Sequence, residues 1–203
     1  MVMELTRDRS ALLVVDMQNA FLSPEGSMVR RGFDTTPLQS AVEPCARLLS
    51  IARAAQVPVV HTRYVYRPDY KDVGVRVREL FPGVIETKGL AAGTWDVEID
   101  ERVAAAPGEI VIDKNRPSAF IGTPLETILR SMRIESLVIC GVTTNICVES
   151  SARDASQFDY RTFVVSDATA EMEQSRYESA LKTLAFLFAR VMTVSDVEGS
   201  WSP

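Results

Sequence analysis

Histidine occurs once in these 203 residues and cysteine three times. A tetrahedral zinc site built from spaced His and Cys ligands has almost nothing to draw on, and no metal or cofactor is expected. The thiols, Cys45, Cys140 and Cys147, form no pairwise motif, and an odd number of them without a secretion signal reads as reduced. Any cysteine–histidine pairing must use His61 or not exist. No apolar stretch reaches the roughly 18 residues of a membrane span. The opening MVMELTRDRS lacks the apolar core of a secretory leader, so reduced cytoplasm is the expected setting. No basic run interleaves with aromatics and the net charge is -5, which argues against a nucleic-acid or membrane partner.

What remains is ordinary for a globular protein: 46% hydrophobic and 24% charged residues, enough for one domain over 1–203 with a sizeable core. Short, continuous apolar runs recur as ALLVVD (11–16), VPVVHT (57–62), EIVIDK (109–114), LVICGV (137–142), TFVVSD (162–167) and VMTVSD (191–196). Such runs read as strands covered on both faces. Between them lie helical periods. VEPCARLLSIARAAQ places Val42, Cys45, Leu48, Leu49 and Ala52 on one face, with Pro44 tolerable only in a first turn. Thr123-Pro124-Leu125-Glu126 reads as a helix start, and 145–158 and 175–189 supply two more helices. Alternation of this kind predicts a three-layer α/β/α sandwich, doubly wound, with a mainly parallel six-stranded sheet of Rossmann-like type. The stretch 63–96, rich in Gly, Pro, Arg and Tyr, is too long for a plain connection and reads as a binding loop or a surface excursion.

Ligands of open α/β sheets bind beyond the carboxyl ends of the strands. Reading those ends gives Asp16, His61, Lys114, the turn from Gly141 to Thr144 with Cys147, and Asp167. If a helix begins near Thr144, Cys147 sits in its first turn, where free N–H groups favour a thiolate and could hold an oxyanion. Lys114 would lower the thiol pKa further, and Asp16 could act as general base and then acid. Each residue has a plainer role open to it: Cys147 as a small core residue, Asp16 as a cap, Lys114 as a surface charge. His61 is either the alternative base or a hydrogen-bonded structural residue.

Three segments in order, LLVVDMQNAF (12–21), DKNRPSAFIGTPLETILR (113–130) and GVTTNICVESSARDA (141–155), resemble the isochorismatase-like cysteine hydrolases. The likeness runs from about residue 10 to 195. It implies that Asp16, Lys114 and Cys147 form the catalytic set, with Cys147 the nucleophile. It further implies a non-proline cis peptide, here Val142–Thr143, that aims the Thr143 N–H with that of Cys147 at the oxyanion. Asp167 matches a family pattern as structural support.

The same resemblance narrows the branch. HTRYVYRPDYKD offers no second histidine for the metal of nicotinamidases, and Cys147 is present where isochorismatases proper lack a cysteine. Amidases of carbamoyl and ureido compounds remain, and TPLETILRSMRI and TNICVESSARDA look most like ureidoacrylate amidohydrolase. Pro117 stands where the family commonly has an aromatic. The implied activity is cleavage of a small amide or ureide through an acyl-cysteine, with release of ammonia, by a homodimer or homotetramer. Phe21, Tyr64 and Trp95 are candidate pocket walls, and Arg63 or Arg67 a carboxylate clamp. Two other classes compete: a binding or assembly protein on the same fold, and a redox sensor using Cys147 as a low-pKa thiol.

Overall fold

The runs LLVV, LVIC and FVV become strands with no face left to water, and Leu12, Leu13, Ile139, Phe163 and Val164 are fully buried. The computed structural model describes residues 3–201; the two residues at each end, included in the single-domain expectation, lie outside the described residues. Six strands form one sheet: β1 (Ser10–Val15), β2 (Val59–Tyr64), β3 (Ile110–Lys114), β4 (Ser136–Val142), β5 (Arg161–Ala170) and β6 (Arg190–Met192). Their order is β3-β2-β1-β4-β5-β6, and every pairing is parallel rather than mainly so. From β1 the chain builds outward through β2 and β3, then returns to β4 and builds the other way. The switch point therefore falls between β1 and β4, where open sheets leave a crevice.

Helices flank the sheet. Helix Val42–Ala54 buries Val42, Cys45, Leu48, Leu49 and Ala52, as the spacing predicts, and Pro44 sits in its first turn. Helix Leu125–Ser131 starts after Pro124, with Thr123 Oγ1 accepting from the Leu125 N–H at 3.2 Å. The TVSD stretch departs from expectation. The sixth strand stops at Met192, and Val194–Trp201 is a helix. Thr193 N donates to Asp196 Oδ2 at 2.8 Å while Asp196 N donates to Thr193 Oγ1 at 3.2 Å. These reciprocal bonds satisfy the free N–H groups of a helix start, and Trp201 then closes over the core.

The stretch 63–96 is a folded excursion. It holds helical turns at Arg76–Leu80, Gly83–Glu86 and Trp95–Val97 and a bridge between Tyr66 and Ala91. Buried Asp96 pins it to the body, accepting from the Ser27 N–H and hydroxyl and from the Leu90 N–H. In LKTLAFLFARV, Leu184 is buried while Phe186 and Leu187 are 86% and 69% exposed. No helix among the described residues is long and apolar enough to cross a membrane.

Candidate active site

Asp16 follows directly on β1 in the left-handed backbone region, at φ +52, a conformation that a non-glycine residue holds only when its surroundings fix it. Here Thr62 fixes it. The Asp16 N–H donates to the Thr62 carbonyl at 3.1 Å, and the Thr62 hydroxyl donates to Asp16 Oδ1 at 2.7 Å. Lys114 is the last residue of β3, two strands from β1. Neighbouring strands lie about 4.8 Å apart, so a cation must span roughly 10 Å of sheet to reach Asp16, which suits a long side chain. Its Nζ stands 2.6 Å from Asp16 Oδ2, and both side chains are fully buried. Nζ also donates to the Arg116 carbonyl at 3.1 Å and lies 4.1 Å from the centre of the Tyr64 ring.

The third element comes from β4. Gly141 adopts φ +113, and a Cβ there would lie 2.1 Å from the Val15 carbonyl oxygen, so only glycine lets β4 run this close to β1. The Val142–Thr143 peptide is cis. Thr169 on β5 donates to the Gly141 carbonyl at 2.7 Å and shares a hydroxyl hydrogen bond of 2.9 Å with Thr144. The turn Thr144–Val148 is widened, with the Val148 N–H reaching the Thr143 carbonyl at 3.2 Å, before regular helix follows over Glu149–Gln157. Ser151 locks it, donating to the Cys147 carbonyl at 2.7 Å and accepting from the Ala119 N–H at 2.9 Å.

Cys147 is 4% exposed, and its sulfur lies close enough to both Asp16 and Lys114 for each to act on its titration. The three residues from three strand ends thus converge. The thiol differs from expectation: burial pushes its pKa from 9.0 up to about 12, with the Lys114 charge drawing it down and Asp16 pushing it up. A turn start and a lysine do not produce a resting thiolate when the group is dry and the lysine already serves a carboxylate. Burial works against the Lys114 ammonium as well, but Asp16 and the Cys147 sulfur outweigh it and hold the amine above its ordinary value. A buried, protonated thiol is also a poor redox sensor. Cys140 instead lies by Cys45, whose thiol donates to the Ala168 carbonyl at 3.1 Å.

A cavity of about 130 Å³ opens on Cys147 and Thr143 and is walled by Phe21, Tyr64, Tyr66, Phe33, Phe81 and Met172, among others. Phe21 and Tyr64 are where the sequence reading puts them. Three other candidates are not. Trp95 is 46% exposed and lines a separate cleft of about 860 Å³ with Asn19, Asp100 and Arg102, which contains none of Asp16, Lys114 and Cys147. Arg63 is held by Asp113 at 2.7 and 2.9 Å, and Arg67 by Asp69 at 3.0 and 3.1 Å, so neither faces the cavity. His61 lies within β2 rather than at its end, 1% exposed, with Nε2 3.1 Å from Glu109 Oε2 at the amino edge of the sheet. It cannot reach Cys147. Asp167 accepts from the Val194 N–H at 2.9 Å and supports the last helix, not the site, because β5 runs on to Ala170. Arg31 and Arg76, which do line the cavity, carry no sequence signal: one lies in the turn after a short helix and the other within the long excursion.

A parallel α/β sandwich with buried aspartate, lysine and cysteine at its switch point defines a class of cysteine hydrolases. The chain belongs to the isochorismatase family, whose domain model matches residues 10–196. A relative named ureidoacrylate amidohydrolase RutB, from Methylorubrum extorquens, is 35% identical over 208 residues, covering 96% of this chain and 84% of its own. A crystal structure of a cysteine hydrolase from Pseudomonas syringae pv. phaseolicola 1448A is 32% identical, with a TM-score of 0.89 and coverage of 97% and 94%. N-carbamoylsarcosine amidase from Thermoplasma acidophilum is 27% identical, with a TM-score of 0.76 and coverage of 91% and 96%.

Proposed function

We propose that this chain is an amidohydrolase that cleaves a small amide, ureido or carbamoyl compound through a covalent intermediate on Cys147. One observation carries this reading: Cys147 lies beside a fully buried Asp16–Lys114 ion pair, both of whose members act on its sulfur, and it faces a cavity of small-molecule size. The relatives named for ureidoacrylate and N-carbamoylsarcosine support the substrate class.

The thiol holds its proton at rest, so attack and deprotonation are coupled. Asp16 takes the proton from Sγ as sulfur bonds to the substrate carbonyl carbon. The carbonyl oxygen becomes an oxyanion and accepts from the Thr143 and Cys147 N–H groups. As it collapses, Asp16 delivers the proton to the leaving nitrogen, the C–N bond breaks and ammonia departs. Water then gives a proton to Asp16 and attacks the thioester or thiocarbamate, and the sulfur leaves and recovers its proton. Lys114 keeps a compensating charge beside Asp16 and the sulfur throughout, in a site dry enough for that charge to matter.

Ammonia release is measured over ureidoacrylate, N-carbamoyl amino acids, biuret, nicotinamide and simple amides. Release from a ureido or carbamoyl compound, absent in Cys147→Ala, is expected; undiminished release by that variant sinks the assignment. Asp16→Asn should slow turnover by at least ~100-fold, the scale of losing a general acid and base. Work in the cytoplasm as a homodimer or homotetramer belongs to the same proposal, and sedimentation of the purified protein decides the assembly.

A further inference from the structure

Three arginines and no carboxylate line the Cys147 cavity. Arg176 reaches Glu173 outside it, but Arg31 and Arg76 have no acidic partner among the described residues. Arg31 lies between aromatic walls, its guanidinium 5.2 Å from the Phe33 ring centre and 5.7 Å from that of Phe81. One of its donors meets only the Met28 sulfur at 3.2 Å, and its buried Nε has no hydrogen-bond partner. Arg76 donates to the Tyr64 and Tyr66 hydroxyls. Burial pushes the Tyr64 phenol well above its usual range, so that oxygen stays neutral and leaves the Arg76 charge uncompensated. Half-buried guanidinium groups with spare donors are costly unless an anion completes them.

We propose that Arg31 and Arg76 form a carboxylate clamp, so that the substrate is a ureido or carbamoyl compound bearing a carboxylate, with its scissile carbonyl at Cys147. This deepens the amidohydrolase reading and rests on it for the second half of the statement only. The fork of a guanidinium matches the two oxygens of a carboxylate, and the apolar walls of Phe21 and Phe33 reduce the screening of the pair by water. Both ends of the ligand share one small cavity, which selects short compounds over long ones. Arg63 and Arg67, the sequence candidates for this role, are closed by Asp113 and Asp69; Arg31 and Arg76 are free to take it.

The test separates binding from turnover. Calorimetric titration of Cys147→Ala protein with 3-ureidopropionate and with its neutral partner 3-ureidopropanamide compares two ligands of one shape. The carboxylate is expected to bind at least ~10-fold more tightly, the scale of one charge-assisted pair. Arg31→Met and Arg76→Met, each added to that background, should remove most of the preference, and Arg31→Lys should keep part of it. Far-ultraviolet circular dichroism checks the fold of each variant. Equal affinity for the two ligands, no binding of either, or a preference untouched by both Met variants overturns the clamp. Tight carboxylate binding with no ammonia release by the wild-type protein would instead count against the amidohydrolase reading and leave the clamp standing.

Discussion

Two clusters of titratable groups, one fully buried and one running from buried His61 out to exposed Arg53, lie at opposite ends of the same sheet. At the amino edge, Glu109 accepts from Arg53 at 2.8 and 3.0 Å and from the Ala106 N–H at 2.7 Å, and its Oε2 lies 3.1 Å from His61 Nε2. At the carboxyl edge, Asp16, Lys114 and Cys147 gather with the Lys114 ammonium 2.6 Å from its carboxylate. Both clusters carry displaced pKa values. Burial works against the Glu109 carboxylate, but Arg53, the Ala106 amide and His61 outweigh it and hold it down at about 2. Burial also lowers His61, more than Glu109 raises it. A perturbed group is therefore no site in itself. The amino-edge cluster spends its carboxylate on neighbours and closes an edge of the fold. The carboxyl-edge cluster keeps its sulfur turned to a cavity.

The comparison is broken most sharply at Lys114. In Lys114→Met a buried carboxylate loses its counter-charge, and a broken buried pair costs about 3–5 kcal/mol. Urea unfolding should show that loss, and ammonia release should fall by at least ~100-fold, the scale of losing one preorganised electrostatic contact. A variant that is stable and fully active would mean that the pair is ornamental and the site lies elsewhere.

The clusters should also fail at opposite ends of the pH scale. Cys147 in the folded chain titrates at about 12 against an ordinary 9.0, so the native state holds the proton more tightly. Its contribution is fully present below about 9 and is lost as pH rises toward 12. The slope is at most ~1.4 kcal/mol per pH unit. Wild type and Cys147→Ala, unfolded in urea at several pH values from 8 to 11, should converge or cross as pH rises. Parallel curves would show that the thiol is not buried in this way. Gly141→Ala sits between structure and site. Its Cβ would press on the Val15 carbonyl, and overpacking of this kind costs about 1–3 kcal/mol. Because β1 and β4 carry Asp16 and Cys147, activity should fall with stability; a drop in stability alone would uncouple strand spacing from the chemistry.

How much of this was legible in the residues follows from what each signal measures. Buried strands announce themselves by continuous apolar runs, so five of the six fell close to their places and brought Asp16, Lys114 and the Cys147 turn to one edge. VMTVSD misled because its apolar residues suit a strand and a helix equally. The Thr193–Asp196 capping pair settled it, and that signal was readable. Strand length was harder to read. β2 runs three residues past His61 and β5 three past Asp167, so neither ends where its polar residue suggested. Pocket residues were the least legible. Which arginine of the 63–96 excursion faces inward depends on partners such as Asp113 and Asp69, brought near only by the fold or by a local turn. The thiol pKa failed for the same reason, since burial is a property of the assembled chain.

The smallest effect expected on activity tests the amino edge. His61 is neutral in the folded chain, its pKa lowered chiefly by burial, so the unfolded chain takes up a proton first as pH falls below about 6.5. Glu109, held at about 2, adds a second loss as pH falls below its ordinary 4.5. The stability that both contribute is thus present at neutral pH and declines on the acid side. His61→Gln keeps a donor for Glu109 but cannot titrate. It should cost about 1 kcal/mol at pH 7, the scale of one altered hydrogen bond, and flatten the acid decline between about pH 6.5 and 5. Its kcat/KM should stay within about twofold of wild type. A loss of tenfold or more without a matching loss of stability would put His61 in the chemistry after all, through a movement of β2 that brings the amino edge within reach of the sulfur. That outcome would overturn the division of the sheet into a structural end and a reactive one.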